Sequence, residues 1–159
     1  ESELFHSGIM PAVNPGISVS RVGGNAQIKA MKKVAGSLKL IYSQYRELQS
    51  FAQFGSDLDA DTKARLAQGE RVVEVLKQGR STPIDVEKQV CIIYAVTHDY
   101  LAEVPVEQVS LYEQGLYEYL DVQHSDILDT IRTTGKFEKD TEEKLAAALV
   151  QYTKDFLAK

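Results

Sequence analysis

The chain has 159 residues, of which 43% are hydrophobic and 26% are charged, and its net charge is −5. That length suits one domain with a single core, and the composition is ordinary for a soluble globular protein. The charge is uneven, because residues 1–50 hold six basic and three acidic residues while the acidic residues lie mainly after them. This acidic majority argues against nucleic-acid binding, which needs a broad basic face.

The apolar runs of the sequence are short. The longest, Val90 to Val96, falls far below the roughly 20 residues that a membrane-spanning helix needs. No basic-then-apolar leader opens the sequence, so we expect no direct membrane insertion. The single cysteine, Cys91, lies inside this run and cannot form an internal disulfide. We expect a buried, inert thiol.

Residues 1–25 predict two short strands. Glu1 to Phe5 forms the first, and Ile17 to Ser20 alternates apolar and polar side chains between a Pro-Gly pair and Gly23-Gly24. Two strands without a third are marginally stable. We therefore expect this segment to be the remnant of a larger sheet, whose strand edges invite self-association.

Residues 26–159 predict a helical domain. Apolar residues recur at helical spacing in successive stretches that Gly, Pro and Asp residues separate. Asp59 or Asp61 and Asp85 are predicted helix caps, and Gly135 a helix end. Because each helix has one apolar face, we expect a mainly α fold, an antiparallel bundle of about six helices. The apolar stripes are Leu38, Ile41, Tyr45 and Leu48; Val86, Val90, Ile93, Tyr94, Thr97 and Leu101; Val109, Tyr112, Leu116 and Leu120; and Leu145, Leu149, Tyr152 and Phe156.

The sequence lacks the common catalytic signatures. No G-x-x-x-x-G-K-[ST] phosphate loop occurs in it. His6, His98 and His124 are too far apart for a local ligand cluster, so we expect no metal site. We do not expect this chain to catalyse a reaction by itself.

Arg21 is the residue whose sequence context most strongly indicates a functional role. It ends the alternating run and precedes Gly23 and Gly24, whose backbone is permissive. An arginine there can direct a planar, permanently charged set of donors at phosphate oxygens. The alternative is an ordinary surface arginine that closes a hairpin. Three nearby lysines are expected to be solvated helix residues, namely Lys29, Lys32 and Lys33.

Four motifs follow one another in a recognisable order: GISVSRVGG, AQIKAMKKVAGSLKL, QYREL and FAQFGSDLD. In these motifs and their spacing, the chain resembles the alpha subunit of rotary proton-translocating ATP synthases. The resemblance implies a C-terminal piece of that subunit, with residues 1–25 ending the nucleotide-binding domain and residues 26–159 forming the helical domain. It also implies a peripheral location on the cytoplasmic face of the bacterial membrane, beside beta subunits and the central-stalk gamma subunit.

The resemblance assigns roles to two residues of the SVSRVGG segment. Arg21 matches an arginine finger that reaches the catalytic site of the neighbouring beta subunit and stabilises charge on the transferred phosphoryl group. Ser18 matches a serine required for activity, although a plain polar strand residue is the alternative. The alpha subunit is the regulatory, non-catalytic subunit of a hexamer that synthesises or hydrolyses ATP, and the full subunit binds ATP or ADP with Mg.

The resemblance also implies a non-catalytic pocket for the nucleotide base, formed by Phe5, Pro11 and Gln78. Two positions depart from the family pattern, because Met10 stands where arginine is usual and Arg80 where glutamine is common. Arg80 either replaces the missing charge from the opposite wall or is a solvated loop residue. Since the phosphate loop is absent, we expect this piece to hold no nucleotide tightly.

The FGSDLD run has two interpretations. It is a helix stop followed by a cap, or, by resemblance, a helical end near the rotating stalk where Asp57 and Asp59 contact basic side chains. Tyr45 and Arg46 of QYREL are expected to pack in the core and between domains. For the whole chain, the alternative to an ATP synthase fragment is a free-standing helical interaction module with no nucleotide role.

Overall fold

The computed structural model describes residues 1–52 and 58–159, and these are mainly helical, as the sequence predicts. Two short helices come first, and the next six form the bundle. The helices are α1 (Ser2–His6), α2 (Arg21–Ala26), α3 (Lys29–Ala52), α4 (Ala60–Leu76), α5 (Val86–Thr97), α6 (Val109–Gln123), α7 (Ser125–Thr134) and α8 (Lys139–Leu157), and a short 3-10 helix (Val106–Gln108) precedes α6.

The two strands predicted within residues 1–25 are wrong, since the described part of the chain contains no strand. The first is helix α1, and the second is a turn followed by extended backbone that leads into α2. Their backbone groups bond locally instead, for example from Ser18 N to Asn14 O at 3.1 Å. A strand needs a partner to satisfy its backbone, and these two segments pair with none here.

Helix α5 is the centre of the bundle. Its residues from Val90 to Val96 are all buried, and it packs against α3, α4, α6 and α7. A helix that is apolar on every side is stable only when it is enclosed. The predicted one-sided stripe is therefore wrong for α5, and Leu101, assigned to that stripe, is buried in the turn after the helix.

Two predicted helix boundaries are confirmed. The Asp59 carboxylate accepts a hydrogen bond from Thr62 N at 2.7 Å and caps α4, and this bond lowers the pKa of Asp59. Gly135 ends α7 with φ +65°, a conformation that suits glycine. Its carbonyl accepts from Ala30 N at 2.9 Å, which joins the end of α7 to the start of α3.

Buried polar groups in the bundle have partners. The Tyr112 and Thr153 hydroxyls lie 2.7 Å apart, and the Tyr152 hydroxyl donates to the Tyr112 carbonyl at 2.8 Å. The buried Glu87 carboxylate accepts from Arg132 Nε at 2.7 Å. At the surface, Lys33 is exposed as expected, and its ammonium also donates to Phe137 O at 3.1 Å and pairs with Glu142. These contacts orient α8 and α7 against the remaining helices.

Gly69 sets the approach of α3 to α4. A Cβ at this buried position would overlap the ring of Tyr45, so we expect Gly69→Ala to destabilise the protein by about 1–3 kcal/mol through overpacking. Gly36→Ala is the matched control, because a Cβ there would meet no atom within 4 Å. It should stabilise α3 by about 0.5–1 kcal/mol. Urea unfolding followed by circular dichroism measures both, and equal effects would contradict the close packing.

Burial raises the pKa of the Cys91 thiol to about 12, with a smaller contribution from the Glu87 charge. We expect iodoacetamide to label Cys91 in the native protein only as fast as the chain unfolds, and the denatured chain at once. The pKa of the thiol is higher in the folded protein than in the unfolded chain, where it is 9.0. Burial of the neutral thiol therefore contributes its full stability below pH 9.0, and this contribution is lost as the pH rises towards 12. Rapid native labelling would show that the thiol is accessible.

Candidate functional site

The segment before α3 lies along the outside of the bundle and is tied to it at a few points. Leu4 of α1 is buried, and the backbone N of Gln78 donates to the Met10 carbonyl at 3.0 Å. Lys39 Nζ of α3 donates to the Ser18 carbonyl at 2.8 Å. These contacts place residues 1–28 next to α3 and next to the loop that follows α4.

Arg21 is the first residue of α2, not the end of a strand as predicted. Ser20 is the helix cap, and its hydroxyl accepts from Gly23 N at 2.9 Å. The Arg21 side chain is exposed, and no hydrogen bond or ion pair joins it to another described residue. Its neighbours Val19 and Val22 are 89% and 80% exposed. The guanidinium is thus available to an anion outside this chain.

Ser18 lies three residues before Arg21 and is also exposed. Its backbone is fixed from both sides, by the Lys39 ammonium on its carbonyl and by its own N–H on Asn14 O. It lines an open groove of about 600 Å³ between this segment and α3, together with Lys32 and Lys39. Ser18 and Arg21 therefore share one surface segment, although Arg21 lies outside the groove lining.

The four residues assigned to the base pocket come together. Phe5, Pro11, Gln78 and Arg80 line one depression of about 560 Å³, with Met10, Ala12 and Gly79. About 70 residues of sequence separate its two walls, and the Gln78–Met10 backbone bond joins them. The lining is apolar on one side and carries a guanidinium on the other, a combination that accepts a flat, partly polar ring.

The loop after α4 contains a contributor that sequence reasoning missed. Thr82 accepts from Gln78 Nε2 at 2.6 Å through its carbonyl, and its hydroxyl donates to the Arg80 carbonyl at 3.2 Å. Ser81 has φ +57°, an uncommon backbone conformation for a residue with a side chain. Thr82-Pro83 is an ordinary turn signal in the sequence, and only the folded loop shows that Thr82 bonds to both Gln78 and Arg80.

The other residues named from the sequence make structural contacts. Tyr45 is buried against Gly69, and Arg46 Nη2 lies 3.9 Å from Glu3 Oε1, which links α3 to α1. Asp59 is engaged as the α4 cap. Phe54 and Asp57 lie outside the described residues.

In residues 1–52 and 58–159, no group of three or more His, Cys, Asp or Glu side chains is placed to hold a metal ion. Within the same ranges no helix is both long enough and apolar enough to cross a membrane.

The family described as "ATP synthase alpha/beta chain, C terminal domain" matches residues 27–152. The chain belongs to this family, and its helical bundle is the matched domain. Among individual proteins it is 56% identical over 156 residues to ATP synthase subunit alpha of Lactobacillus helveticus and of Lactobacillus acidophilus. It is 54% identical over 158 residues to that of Ligilactobacillus salivarius. These alignments cover 98–99% of the chain but only 31% of each relative, so the chain spans about a third of their length.

The Lys39 contact predicts a measurable effect on the Ser18–Arg21 segment. Removing the ammonium in Lys39→Ala should loosen residues 13–20, because the Ser18 carbonyl loses its hydrogen bond to α3. Hydrogen exchange followed by mass spectrometry should show faster exchange in that peptide. Lys32→Ala is the control, since Lys32 lines the same groove but its ammonium makes no hydrogen bond to a described residue. Similar exchange in both variants would argue against the anchor.

Proposed function

We propose that this chain is the C-terminal part of an ATP synthase alpha subunit and supplies an arginine finger to an adjacent beta subunit. Identity of 54–56% to alpha subunits along nearly the whole chain supports the subunit assignment. The observation that carries the arginine role is the exposed Arg21, whose guanidinium has no partner among the described residues.

The chemistry requires an arginine that its own chain leaves uncommitted. In phosphoryl transfer, charge builds on the oxygens of the moving group, and a guanidinium can bind two of them with parallel hydrogen bonds. In this proposal, the triphosphate on which Arg21 acts is bound by the neighbouring beta subunit. The apolar side chains of Val19 and Val22 beside Arg21 suit burial at that boundary, where exclusion of water strengthens the charge interaction.

Ser18 has a supporting role in this proposal. Its backbone is fixed by hydrogen bonds to Lys39 and Asn14. Ser18 therefore helps to position the start of α2, where Arg21 lies. Its exposed hydroxyl is available to hydrogen-bond near the phosphates. Activity is a property of the full assembly, and this piece alone is not the catalyst.

The proposed cofactor of the full subunit is ATP or ADP with Mg, with its base in the pocket of Phe5, Pro11, Gln78 and Arg80. The support is geometric, because these residues line one depression of suitable size. This chain carries only the base end of that site, so we expect it to bind nucleotide weakly by itself.

The proposed partners are the beta subunits and the gamma subunit of the central stalk, on the cytoplasmic face of the bacterial membrane. The bacterial relatives support the setting. Membership of the ATP synthase family disfavours the alternative of a free-standing interaction module.

The decisive variant is Arg21→Ala in the full-length subunit, assembled with its partners. We expect multisite ATP turnover to fall by roughly 10³-fold or more, the scale of a lost arginine finger, while the bound nucleotide per complex stays nearly constant. Arg21→Lys should recover little, because an ammonium lacks the planar pair of donors. Turnover comes from a coupled assay, and nucleotide occupancy from extraction after gel filtration.

Lys29→Ala is the matched control, since it removes an exposed positive charge eight residues from Arg21. It should leave turnover near the unmodified level. If Arg21→Ala turns over normally, or if it loses nucleotide in proportion to activity, the arginine-finger role is wrong.

A further inference from the structure

Another cavity lies between the loop after α4 and helices α5 and α6. Its volume is about 350 Å³, which is enough for a small ligand. It has only Gln78 and Gly79 in common with the pocket assigned to the base. Its lining includes Lys77 at the end of α4, Ile84 and Asp85 of the loop, Lys88 of α5, and Glu113 and Tyr117 of α6.

Glu113 brings a nearly buried carboxylate to this cavity. The residue is 9% exposed, and Tyr117 Oη donates to its Oε1 at 2.6 Å. The other oxygen, Oε2, has no hydrogen-bond partner in residues 1–52 or 58–159. In the same ranges every fully enclosed side-chain nitrogen or oxygen has a partner. The Oε2 atom is therefore open to the cavity that Glu113 lines.

The charge of this carboxylate is incompletely compensated by the protein. Burial raises the pKa of Glu113, and the hydrogen bond from Tyr117 opposes this effect only in part. A buried carboxylate is stabilised by a nearby cation or by further donors. No basic side chain in the described part of the chain forms an ion pair with Glu113. The free oxygen thus offers a contact to a cation from outside the chain.

The two lysines of the lining are already paired with other carboxylates. Lys88 Nζ lies 2.7 Å from Asp121 Oδ2, and Lys77 pairs with Glu74. Asp85, by contrast, is exposed and makes no side-chain hydrogen bond or ion pair with a described residue. The lining therefore presents two carboxylates without a paired cation, and its two ammonium groups are both neutralised.

We propose that this cavity binds a linear alkyl diamine, with one ammonium on Glu113 Oε2 and the other on Asp85. A compact ammonium needs one free oxygen, whereas a bidentate guanidinium uses both oxygens of a carboxylate. Ile84 and the Tyr117 ring supply apolar surface for the methylene groups between the two charges. The site involves neither Arg21 nor the base pocket, so it is independent of the proposed function.

The test titrates the full-length subunit with 1,4-diaminobutane by calorimetry. Glu113→Gln keeps the size of the side chain and an oxygen for the Tyr117 hydroxyl, but it removes the charge. We expect Kd to rise by roughly tenfold or more, because a hydrogen bond to a charged group is weakened. Glu118→Gln is the matched control, since it removes a charge from the same helix at an exposed residue outside the cavity lining. It should leave Kd nearly constant.

Asp85→Asn tests the second ammonium. Asp85 makes no side-chain capping hydrogen bond to α5, so the helix should keep its start. We expect the Kd of 1,4-diaminobutane to rise to about the value for butylamine, which has a single ammonium. The Kd of butylamine itself should change little in this variant.

Three results would overturn the inference. The unmodified subunit does not bind 1,4-diaminobutane, Glu113→Gln binds it as tightly as the unmodified subunit, or Asp85→Asn keeps the full preference for the diamine over butylamine. Thermal unfolding of each variant checks that the fold is intact. The turnover of the Arg21 variants tests the proposed function separately from all of these measurements.

Discussion

The enclosure of α5 is the constraint on which the rest of the structure depends. Seven consecutive buried residues, Val90 to Val96, cannot be covered by one neighbour, so four helices must surround them. Apolar burial of this kind is the main favourable term in folding. It fixes α3, which carries the outer segment, and it fixes the loop before α5, which carries Arg80. Both candidate sites therefore depend on this core, and Ile93 of α5 itself lines the groove beside Ser18.

The candidate catalytic arginine belongs to a lightly attached part of this chain. A buried Leu4, the Lys39 hydrogen bond to Ser18 and the Gln78 hydrogen bond to Met10 hold the segment, while the side chains around Arg21 face outward. A rigid bundle that presents an exposed segment is a common arrangement for functional groups. An arginine that acts on a neighbour must remain unpaired in its own chain, and the exposed Arg21 side chain has no hydrogen bond or ion pair to any residue of 1–52 or 58–159.

The groove beside Ser18 and the pocket assigned to the base are built from different parts of the chain. The groove beside Ser18 is made by adjacent elements and two lysines of α3. The base pocket instead joins Met10 and Gln78 across most of the N-terminal half of the chain. Motif resemblance named five of its seven lining residues, whereas periodicity and spacing had no means of pairing them.

Local signals predicted the features that local physics controls. The apolar stripe of α6, the Asp59 cap and the Gly135 helix end were predicted correctly because each depends on residues within a turn or two. The two strands were wrong, since a strand forms only when a distant segment pairs with it. The same limitation applies to α5, whose sequence shows an apolar run but not how many neighbours cover it.

The sequence by itself determined the mainly helical class, the family resemblance and the identity of the charged and polar candidates. The tertiary structure decided that Arg21 begins a helix, that α5 is enclosed, that Lys33 pairs with Glu142, and that Arg80 faces an apolar wall. The division has a physical cause: helix propensity and capping act between near neighbours in the chain, whereas burial and pocket formation depend on contacts between residues that are far apart in it.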